Sequence, residues 1–368
     1  MKKADTPPEN QITPFHLPTP DGEDLYGWHI LPIGLYAQHE DALLTQDPWP
    51  PSSLDASLSF NLLLDDPESR IVINFHGNAG HVGQGYRPGT YKSLTSASSK
   101  IHVITVDYRG FGRSSGVPSE AGLIADGVAL VEYLLKLGIP PERMVILGQS
   151  LGTQVAAAVA LHFASPSASI GLVPSGSLDA NPGAVAFLSD SASVSENVKG
   201  TSFASVILAA SFPSLSQLLK VYRLGGLVPL LSPLRVYPTI QSFVLRFVHE
   251  SWLTSSRLAA LVSSSISQDL NLNLQIMHAA DDYDISWRMG LVNFETCVEA
   301  VRNATSAGDV EVEVKSVGDT WGETMRKSIV AGREGNVKVE WTLLMQGGHN
   351  RIVADVPVAL AVMKGFGL

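Results

Sequence analysis

The chain has 368 residues, and its 25 Lys and Arg against 35 Asp and Glu give a formal net charge of −10 at neutral pH. With 45% hydrophobic and 16% charged residues, the composition is that of a globular protein and excludes a wholly disordered chain. The sequence has no basic run that could neutralise a phosphate backbone, so nucleic acid is not an expected partner. Its single cysteine, Cys297, excludes a disulfide framework and a cysteine-based zinc site, and we expect an inert buried thiol.

The first residues predict an N-terminal extension, 1–14, without a targeting signal. Two lysines follow Met1 but no apolar region comes after them, which is not the pattern of a signal peptide. A spanning helix needs about 20 apolar residues without charge, and we find no such stretch, so we expect a soluble, intracellular chain. An anchor upstream of this sequence would instead associate the protein with a membrane.

Short buried strands that alternate with helices predict a doubly wound α/β sheet, mostly parallel and flanked by helices. The turn signal Asp21-Gly22 lies between two β-like runs in 15–33 and predicts a hairpin. Nearly continuous apolar runs, typical of strands buried on both faces, occupy 70–75, 101–108, 144–147, 205–210, 272–278 and 337–345. Helical spacing or composition predicts helices over 119–137, after Ser150, and over 354–366.

Two segments interrupt the predicted α/β core of 15–211 and 267–368. Residues 164–203 are rich in Ser, Ala, Gly and Pro, which indicates a surface insertion. Residues 212–266 are apolar and turn-rich, which indicates a helical cap inserted before the strand at 272–278. The cap either packs on the core or lines an apolar groove, and it is a candidate for peripheral membrane contact. Its apolar side chains include Leu215, Leu218, Leu219, Leu224, Leu227, Leu230 and Leu231.

The most informative segment is Gly148-Gln-Ser150-Leu-Gly152, between a predicted buried strand and an Ala-rich helix. In this context G-x-S-x-G is typical of a nucleophile elbow, whose sharp turn needs small residues two positions on either side of the serine. The turn would place the Ser150 hydroxyl at a helix N-terminus, where anionic charge is stabilised. Ser150 is therefore the candidate nucleophile, and a structural Gly/Ser turn is the alternative.

A second glycine-rich segment, His76-Gly-Asn-Ala-Gly80, directly follows the predicted strand at 70–75. In enzymes with a nucleophile elbow, the oxyanion hole joins an N–H of this loop to the N–H after the serine. The candidates here are Asn78 and Leu151. We expect His76 itself to be a structural, hydrogen-bonded residue rather than the base.

A serine nucleophile needs a histidine base, and the base needs a carboxylate that holds its tautomer. In this fold the chain order is serine, acid, histidine. Asp281, Asp282 and Asp284 follow the predicted strand at 272–278, and the residues alone leave all three open as the acid. His349 follows a glycine pair between the last predicted strand and the terminal helix, which makes it the candidate base.

Five ordered motifs resemble the α/β-hydrolase superfamily, in particular the abhydrolase domain-containing 12 and 13 type and its filamentous-fungal members: HGNAG, VDYRGFGRSSG, GQSLGT, HAADDYDISW and GGHNRI. That group includes monoacylglycerol and lysophosphatidylserine lipases. Its acid stands four residues after the histidine of the fourth motif, which selects Asp282, with Ile285 as the apolar match and Ser286 in place of a proline. The insertion at 164–203 departs from the family pattern. The resemblance also implies that four residues support the oxyanion loop: Asp107, Tyr108, Arg109 and Gly112.

The sequence thus predicts a serine hydrolase with a catalytic triad of Ser150, Asp282 and His349. The glycine runs lack G-x-G-x-x-G spacing and His249-Glu250 lacks the second histidine of a zinc motif, so we expect neither cofactor nor metal. The apolar cap favours a hydrophobic acyl group, and the resemblance implies a mono- or lysoglycerolipid substrate. The alternatives are a small-ester, thioester or lactone hydrolase of secondary metabolism, and a ligand-binding α/β-hydrolase homologue without turnover.

Overall fold

The computed structural model describes residues 10–45, 53–174, 181–195, 199–224, 228–229, 250–305 and 325–368. The strands are β1 (Ile12–Pro18), β2 (Asp24–Ile30), β3 (Arg70–Phe75), β4 (Ile101–Val106), β5 (Met144–Gln149), β6 (Ser205–Ala209), β7 (Arg223–Leu224), β8 (Val228–Pro229), β9 (Leu272–Ala279), β10 (Met325–Ala331) and β11 (Val337–Leu344). The helices are α1 (Ile33–Gln38), α2 (Glu40–Leu44), α3 (Leu58–Leu64), α4 (Arg87–Ala97), α5 (Glu120–Lys136), α6 (Leu151–Ala164), α7 (Pro166–Ile170), α8 (Pro182–Ser195), α9 (Leu215–Val221), α10 (Thr254–Gln268), α11 (Trp287–Ala304), α12 (Gly348–Arg351) and α13 (Val356–Phe366).

The central sheet is mixed and mostly parallel, with the strand order β1-β2-β4-β3-β5-β6-β9-β11-β10. The six strands from β4 to β11 in that order run parallel, and β5 stands in their middle. The hairpin β1–β2 joins β4 in antiparallel register, and β10 closes the opposite side against β11. The carboxyl ends of the parallel strands therefore meet along one edge, where ligands bind in open α/β sheets.

Side chains from both faces of the sheet enter hydrophobic cores. In β3, Ile71, Ile73 and Phe75 pack in the larger core with α5, α6, α10 and α11, whereas Val72 packs with α4 and α13 on the other face. Strands covered on both sides must be apolar at nearly every position, which is why their runs are continuous in the sequence. The predicted parallel strands match the observed ones to within about two residues. The hairpin predicted over 15–33 lies over 12–30, so its first strand begins inside the predicted N-terminal extension, 1–14.

Three elements differ from the expectation. The predicted insertion at 164–203 contains α7 and α8, and α8 packs against α5 and α7 with Ala184 and Leu188 in the larger core. The strand β10 lies outside the predicted set, because its outer residues are partly exposed and its apolar pattern is weak. The helix α10, which the sequence assigns to the end of the cap, packs against α6 and α11 and so belongs to the helical layer beside the sheet.

The predicted cap at 212–266 is described only in part. It begins with α9, whose Leu218 is buried in the larger core while Leu215 packs against that core from its edge. The short antiparallel pair β7–β8 follows. Leu227, Leu230 and Leu231, on which the predictions of an apolar groove and of a membrane contact partly depend, lie outside the described residues.

A buried carboxylate fixes the chain where it leaves the cap. Glu120, the first residue of α5, accepts hydrogen bonds from Ser251 N at 2.8 Å and Trp252 N at 2.9 Å. Its other oxygen accepts from Arg257 Nη2 of α10 at 2.6 Å. Glu120 is fully buried and Arg257 is almost fully buried. Loss of either side chain would therefore leave the other as a buried charge without a partner. This pair therefore fastens the end of the cap segment to α5.

Two further findings bear on the first expectations. Cys297 is fully buried in α11, and burial raises the pKa of its thiol to about 12. A thiol with such a pKa is not a nucleophile at neutral pH. Within the described ranges, none of the helices combines the length and the apolar character that crossing a membrane requires.

Candidate active site

Ser150 stands at the carboxyl end of β5, in a sharp turn into α6. Its backbone has φ of 52° and ψ of −117°, a region that residues other than glycine rarely adopt. A Cβ on Gly148 would overlap the carbonyl oxygen of Gly152, and a Cβ on Gly152 would overlap that of Phe75. The turn therefore exists only because both positions carry no side chain, and it places the Ser150 hydroxyl at the start of α6.

The structure brings Ser150, His349 and Asp282 into one hydrogen-bonded chain. His349 Nε2 lies 2.9 Å from Ser150 Oγ, and His349 Nδ1 lies 2.9 Å from Asp282 Oδ2. Asp282 follows β9, and His349 lies in α12 after β11, so the acid and the histidine come from neighbouring parallel strands. With Nδ1–H directed at the carboxylate, Nε2 can accept the hydroxyl proton of Ser150.

The carboxylate of Asp282 is buried and saturated with donors. Its Oδ1 accepts from Asp284 N at 3.0 Å and from Ile285 N at 2.8 Å. Its Oδ2 lies 3.2 Å from His278 Nε2, in addition to the contact with His349. Burial raises the pKa of Asp282, but the hydrogen bonds from His278 and His349 outweigh burial and hold the pKa well below its usual value. The carboxylate is therefore an anion at neutral pH, as an imidazolium partner needs.

Of the three carboxylates that the sequence leaves open, that of Asp282 contacts His349 Nδ1. Asp281 has a different contact, since its Oδ1 accepts from Gly348 N at 2.7 Å. Gly347 and Gly348 have φ of 140° and 55°, so this carboxylate holds a turn that needs glycine. Asp281 thus fixes the backbone that carries the histidine.

Gln149 connects the elbow to the histidine loop. Its Nε2 donates to the carbonyl oxygen of His349 at 2.9 Å, across 200 residues of sequence. Its Oε1 lies 2.3 Å from the position that a Cβ on Gly77 would take, so the side chain packs between the two loops. Sequence reasoning missed the positioning contacts of Gln149, Asp281 and His278, although all three stand inside the quoted motifs.

His76 is buried beneath the loop that joins β3 to α4. Burial, with the positive charge of Arg87, lowers the pKa of His76 to about 3, so the ring is neutral. Its Nδ1 donates to Gly77 O at 2.8 Å, and its centroid lies 4.4 Å from that of Tyr108. These contacts fit the structural role expected for His76.

The proposed oxyanion-hole residues lie on two sides of Ser150. A Cβ built on Gly77 would lie 3.4 Å from Ser150 Cβ, which places the Gly77–Asn78 peptide beside the serine. Leu151 is the first residue of α6, where backbone N–H groups have no partner within the helix. An oxygen that develops charge next to Ser150 would therefore lie near both segments.

The residues after β4 support this loop, as the resemblance implies for Asp107 and Tyr108. Tyr108 Oη donates to His76 O at 2.9 Å, and Asp107 Oδ1 accepts from Val82 N at 2.6 Å. From α4, Tyr91 Oη donates to Val82 O at 2.9 Å. Gly112 has φ of 51°, and a Cβ there would overlap the Asp107 carboxylate.

Arg109 supports the neighbouring hairpin rather than the loop. It is fully buried, and it pairs with Asp21 of the β1–β2 turn at 2.7 Å and with Asp126 of α5 at 2.7 Å. The guanidinium thus fastens the turn of the hairpin to α5, close to the carboxyl end of β4.

A cavity of about 420 Å³ opens beside His349. Its lining is mostly polar and includes Tyr86, Asp281, Tyr283 and Asp284. A larger cavity of about 780 Å³ lies between α5, α6 and α8, and its lining does not include Ser150, Asp282 or His349. The smaller cavity is therefore the space next to the hydrogen-bonded side chains of Ser150, His349 and Asp282.

Asp282, Asp284 and His349 also present oxygen and nitrogen atoms within 4.8 Å of one another, as a metal site would. The Asp282 oxygens, however, already accept N–H groups from Asp284, Ile285 and His349. An ion would have to displace these donors, so the arrangement suits a histidine–carboxylate pair better than a metal site.

Several known proteins are similar to this chain in sequence or in fold. The model of the alpha/beta hydrolase family matches residues 72–294. Lysophosphatidylserine lipase ABHD12 of Danio rerio is 34% identical over 158 residues, which are 42% of this chain and 36% of that protein. Protein bem46 of Schizosaccharomyces pombe is 40% identical over 97 residues, which are 26% of this chain and 31% of that protein. The chain thus spans about a third of the length of the curated relatives that it matches.

Among solved structures, an alpha-beta hydrolase from Vibrio vulnificus superposes with a TM-score of 0.52 at 13% sequence identity. The match covers 96% of this chain and 81% of that one. At this identity the likeness concerns the fold alone.

Proposed function

The chain belongs to the alpha/beta hydrolase family, and from that premise we propose that it is a serine hydrolase that cleaves carboxylic esters through an acyl-enzyme. The observation that carries the proposal is the pair of 2.9 Å contacts from His349 to Ser150 Oγ and to Asp282 Oδ2. Nucleophile and base in hydrogen-bond contact, with the base oriented by a third group, is the arrangement that activates a serine hydroxyl.

In the first half of the reaction, Ser150 Oγ bonds to the ester carbonyl carbon while its proton passes to His349 Nε2. The π electrons of the carbonyl move to its oxygen, and Asp282 stabilises the imidazolium that forms. When the carbonyl re-forms, the bond to the alcohol oxygen breaks, and that oxygen takes the proton from His349. Water then adds to the acyl-enzyme by the same route, and the proton returns to Ser150 as the carboxylic acid leaves.

The negative oxygen of each tetrahedral intermediate needs donors that are already in place. We assign this role to the backbone N–H groups of Asn78 and Leu151, because their segments lie on two sides of Ser150. Removal of one such donor typically lowers kcat by about 10²- to 10³-fold. These N–H groups belong to the backbone, so their direction depends on the residues that hold the loop and the elbow.

For the substrate, we propose a hydrophobic, lipid-like ester such as a monoacylglycerol or a lysophospholipid. Two observations support this class: the apolar residues that begin the cap, and the relative described as a lysophosphatidylserine lipase. His349 must protonate the leaving alcohol, so the alcohol part would lie on its side of Ser150, in the polar cavity. Between these two substrates, the carboxylates of Asp281 and Asp284 in that cavity favour the neutral glycerol of a monoacylglycerol over the anionic headgroup of a lysophospholipid such as lysophosphatidylserine.

A fluorophosphonate probe, which phosphorylates activated serines, tests the reaction class. We expect wild-type protein to be labelled and the Ser150→Ala variant to remain unlabelled. A wild-type protein that binds apolar ligands but is neither labelled nor able to hydrolyse any ester would overturn the proposal in favour of a ligand-binding homologue.

A series of glycerol esters from acetyl to palmitoyl tests the substrate class. If the acyl chain is buried, each methylene contributes about 0.8 kcal/mol of binding, so kcat/KM should rise severalfold per methylene before levelling off. A maximum at acetyl with a steady fall would refute the lipid-like substrate and favour a small-ester hydrolase. Thioester and lactone substrates, assayed beside the esters, distinguish the remaining alternatives.

A further inference from the structure

Three carbonyl groups of the loop after β3 converge on one guanidinium group. Arg87, the first residue of α4, donates through Nη2 to Gly77 O at 2.9 Å and to Ala79 O at 2.6 Å. Its Nη1 donates to His81 O at 2.5 Å. Every second carbonyl group of this loop, from residue 77 to residue 81, therefore points to the start of α4.

This convergence fixes the direction of an N–H group. In a trans peptide the C=O and the following N–H point in opposite directions. Because Gly77 O points to Arg87, the Asn78 N–H of the same peptide points away from Arg87. Gly77 itself lies beside Ser150, since a Cβ on it would lie 3.4 Å from Ser150 Cβ. A rotated Gly77–Asn78 peptide would turn its carbonyl oxygen toward the developing oxyanion and repel it.

We propose that Arg87 is a positioning residue for the oxyanion hole, and that it holds the Gly77–Asn78 peptide in the orientation that aims Asn78 N–H at the reacting carbonyl oxygen. The inference rests on the proposed serine-hydrolase function. It goes beyond that function because it assigns a role to a side chain that touches neither the nucleophile nor the base.

The guanidinium suits this role in two ways. Its planar fork donates to several acceptors at once, which a lysine ammonium on a flexible stem does less well. Its positive charge next to the carbonyl oxygen polarises the peptide, and a polarised peptide has a stronger N–H donor. Arg87 therefore affects both the direction and the strength of the Asn78 N–H.

The loop has other attachments, so it does not depend on Arg87 for its path. Tyr108 holds His76 O, and Tyr91 and Asp107 hold the two backbone groups of Val82. Gly77 O also accepts from His76 Nδ1 at 2.8 Å, which leaves one donor in place when Arg87 is replaced. We therefore expect Arg87 variants to fold, with an effect smaller than complete loss of an oxyanion donor.

The test compares wild type, Arg87→Met and Arg87→Lys with Arg302→Met, an exposed arginine at the end of α11, as the matched control. For Arg87→Met we expect kcat/KM on a nitrophenyl ester to fall by roughly 10- to 100-fold, part of the loss known for a missing donor, with KM unchanged. Arg87→Lys should retain an intermediate activity, and Arg302→Met should match wild type.

A trifluoromethyl ketone supplies the readout that a purely structural role would not change. Ser150 Oγ adds to its carbonyl carbon, the serine proton passes to His349, and the ketone oxygen becomes the bound oxyanion. Its inhibition constant should rise across the variants in proportion to the fall in kcat/KM, because both report binding of the same charged oxygen.

Each remaining outcome decides the question. If Arg87→Met leaves both kcat/KM and inhibitor affinity unchanged, with or without a lower melting temperature, Arg87 only supports the fold. Failure of both Arg87 variants to fold would overturn the inference in the same way. A wild-type protein without labelling or hydrolysis would instead refute the proposed function, so the two failures are distinguishable.

Discussion

The turn around Ser150 is possible because Gly148 and Gly152 have no Cβ atom, whereas the loop that carries His349 is held by hydrogen bonds from side chains. At the elbow, backbone groups pack so closely that a single Cβ would overlap a carbonyl oxygen. At the histidine loop, Asp281 binds Gly348 N, Gln149 binds His349 O and Asp282 binds the imidazole. The constraint at the elbow is steric and does not respond to pH, while the constraint on the histidine loop comes from charged and polar groups. Substitutions in the two regions should therefore fail in different ways.

The sharpest test of the elbow is Ser150→Ala, for which we expect about a 10⁶-fold loss of kcat, because the rest of the proposed triad cannot act without its nucleophile. Stability should be unchanged or slightly higher. Ester hydrolysis and probe labelling measure the effect, with Ser193→Ala, an exposed serine of α8, as the control. Full labelling of Ser150→Ala would show that another residue is the nucleophile.

At the histidine loop, Asp282→Asn should leave the fold intact and lower kcat by roughly 10⁴-fold, since the amide favours the wrong tautomer of His349. Asp281→Asn and Asp284→Asn should be far milder, because His349 Nδ1 lies 2.9 Å from Asp282 rather than from either neighbour. Steady-state kinetics of the three variants decides the point. A larger loss in Asp284→Asn than in Asp282→Asn would contradict the assignment of the acid.

At the elbow, Gly152→Ala should lower the free energy of unfolding by about 1–3 kcal/mol or more, since the added Cβ meets backbone atoms that cannot rotate away. Gly89→Ala in α4 is the matched control, because a Cβ there would lie 3.4 Å from Ala354 Cβ, an ordinary contact. Urea unfolding at neutral pH measures both. Equal stability of the two variants would show that the elbow is less tightly packed than described.

The smallest expected effect concerns pH. Asp282 has its pKa held below the usual value, so its ionised form stabilises the folded state at any pH above the unfolded pKa of about 3.9. This contribution is lost as pH falls through the lower folded pKa. The difference in unfolding free energy between wild type and Asp282→Asn should therefore be constant from neutral pH to about pH 5 and shrink below pH 4. A difference that grows toward acid would mean that burial dominates at this carboxylate.

The two regions also differ in how far the sequence predicts them. Local spacing predicts the elbow, because a turn that excludes Cβ atoms leaves glycines at fixed positions around Ser150. The contact of Gln149 with His349 O joins residues 200 positions apart, and no local pattern encodes it. The choice of Asp282 over its neighbours came from a family resemblance, since three carboxylates in four positions are equivalent until the loop is folded.

The same reasoning applies to the fold. The sequence predicts the strands of the parallel sheet because burial on both faces makes their apolar runs continuous. The sequence does not predict the edge strand β10, because one side of it is exposed, nor the helix α8, because its inward positions are mostly small: Ala184, Leu188 and Ala192. The sequence assigns the helix α10 to the cap because an apolar segment precedes it, and only the packing of α10 on α6 and α11 separates this helix from the cap.

The backbone of Ser150 places activity and stability in opposition. With φ of 52° and ψ of −117°, this residue holds a conformation that costs about 1–3 kcal/mol for a side chain and much less for glycine. A library of this protein selected for heat resistance alone should enrich Ser150→Gly and discard the proposed nucleophile. Selection for higher thermal stability would therefore need a screen for turnover at every round. Stabilising substitutions are better sought in distant regions such as the helical layer that contains α8.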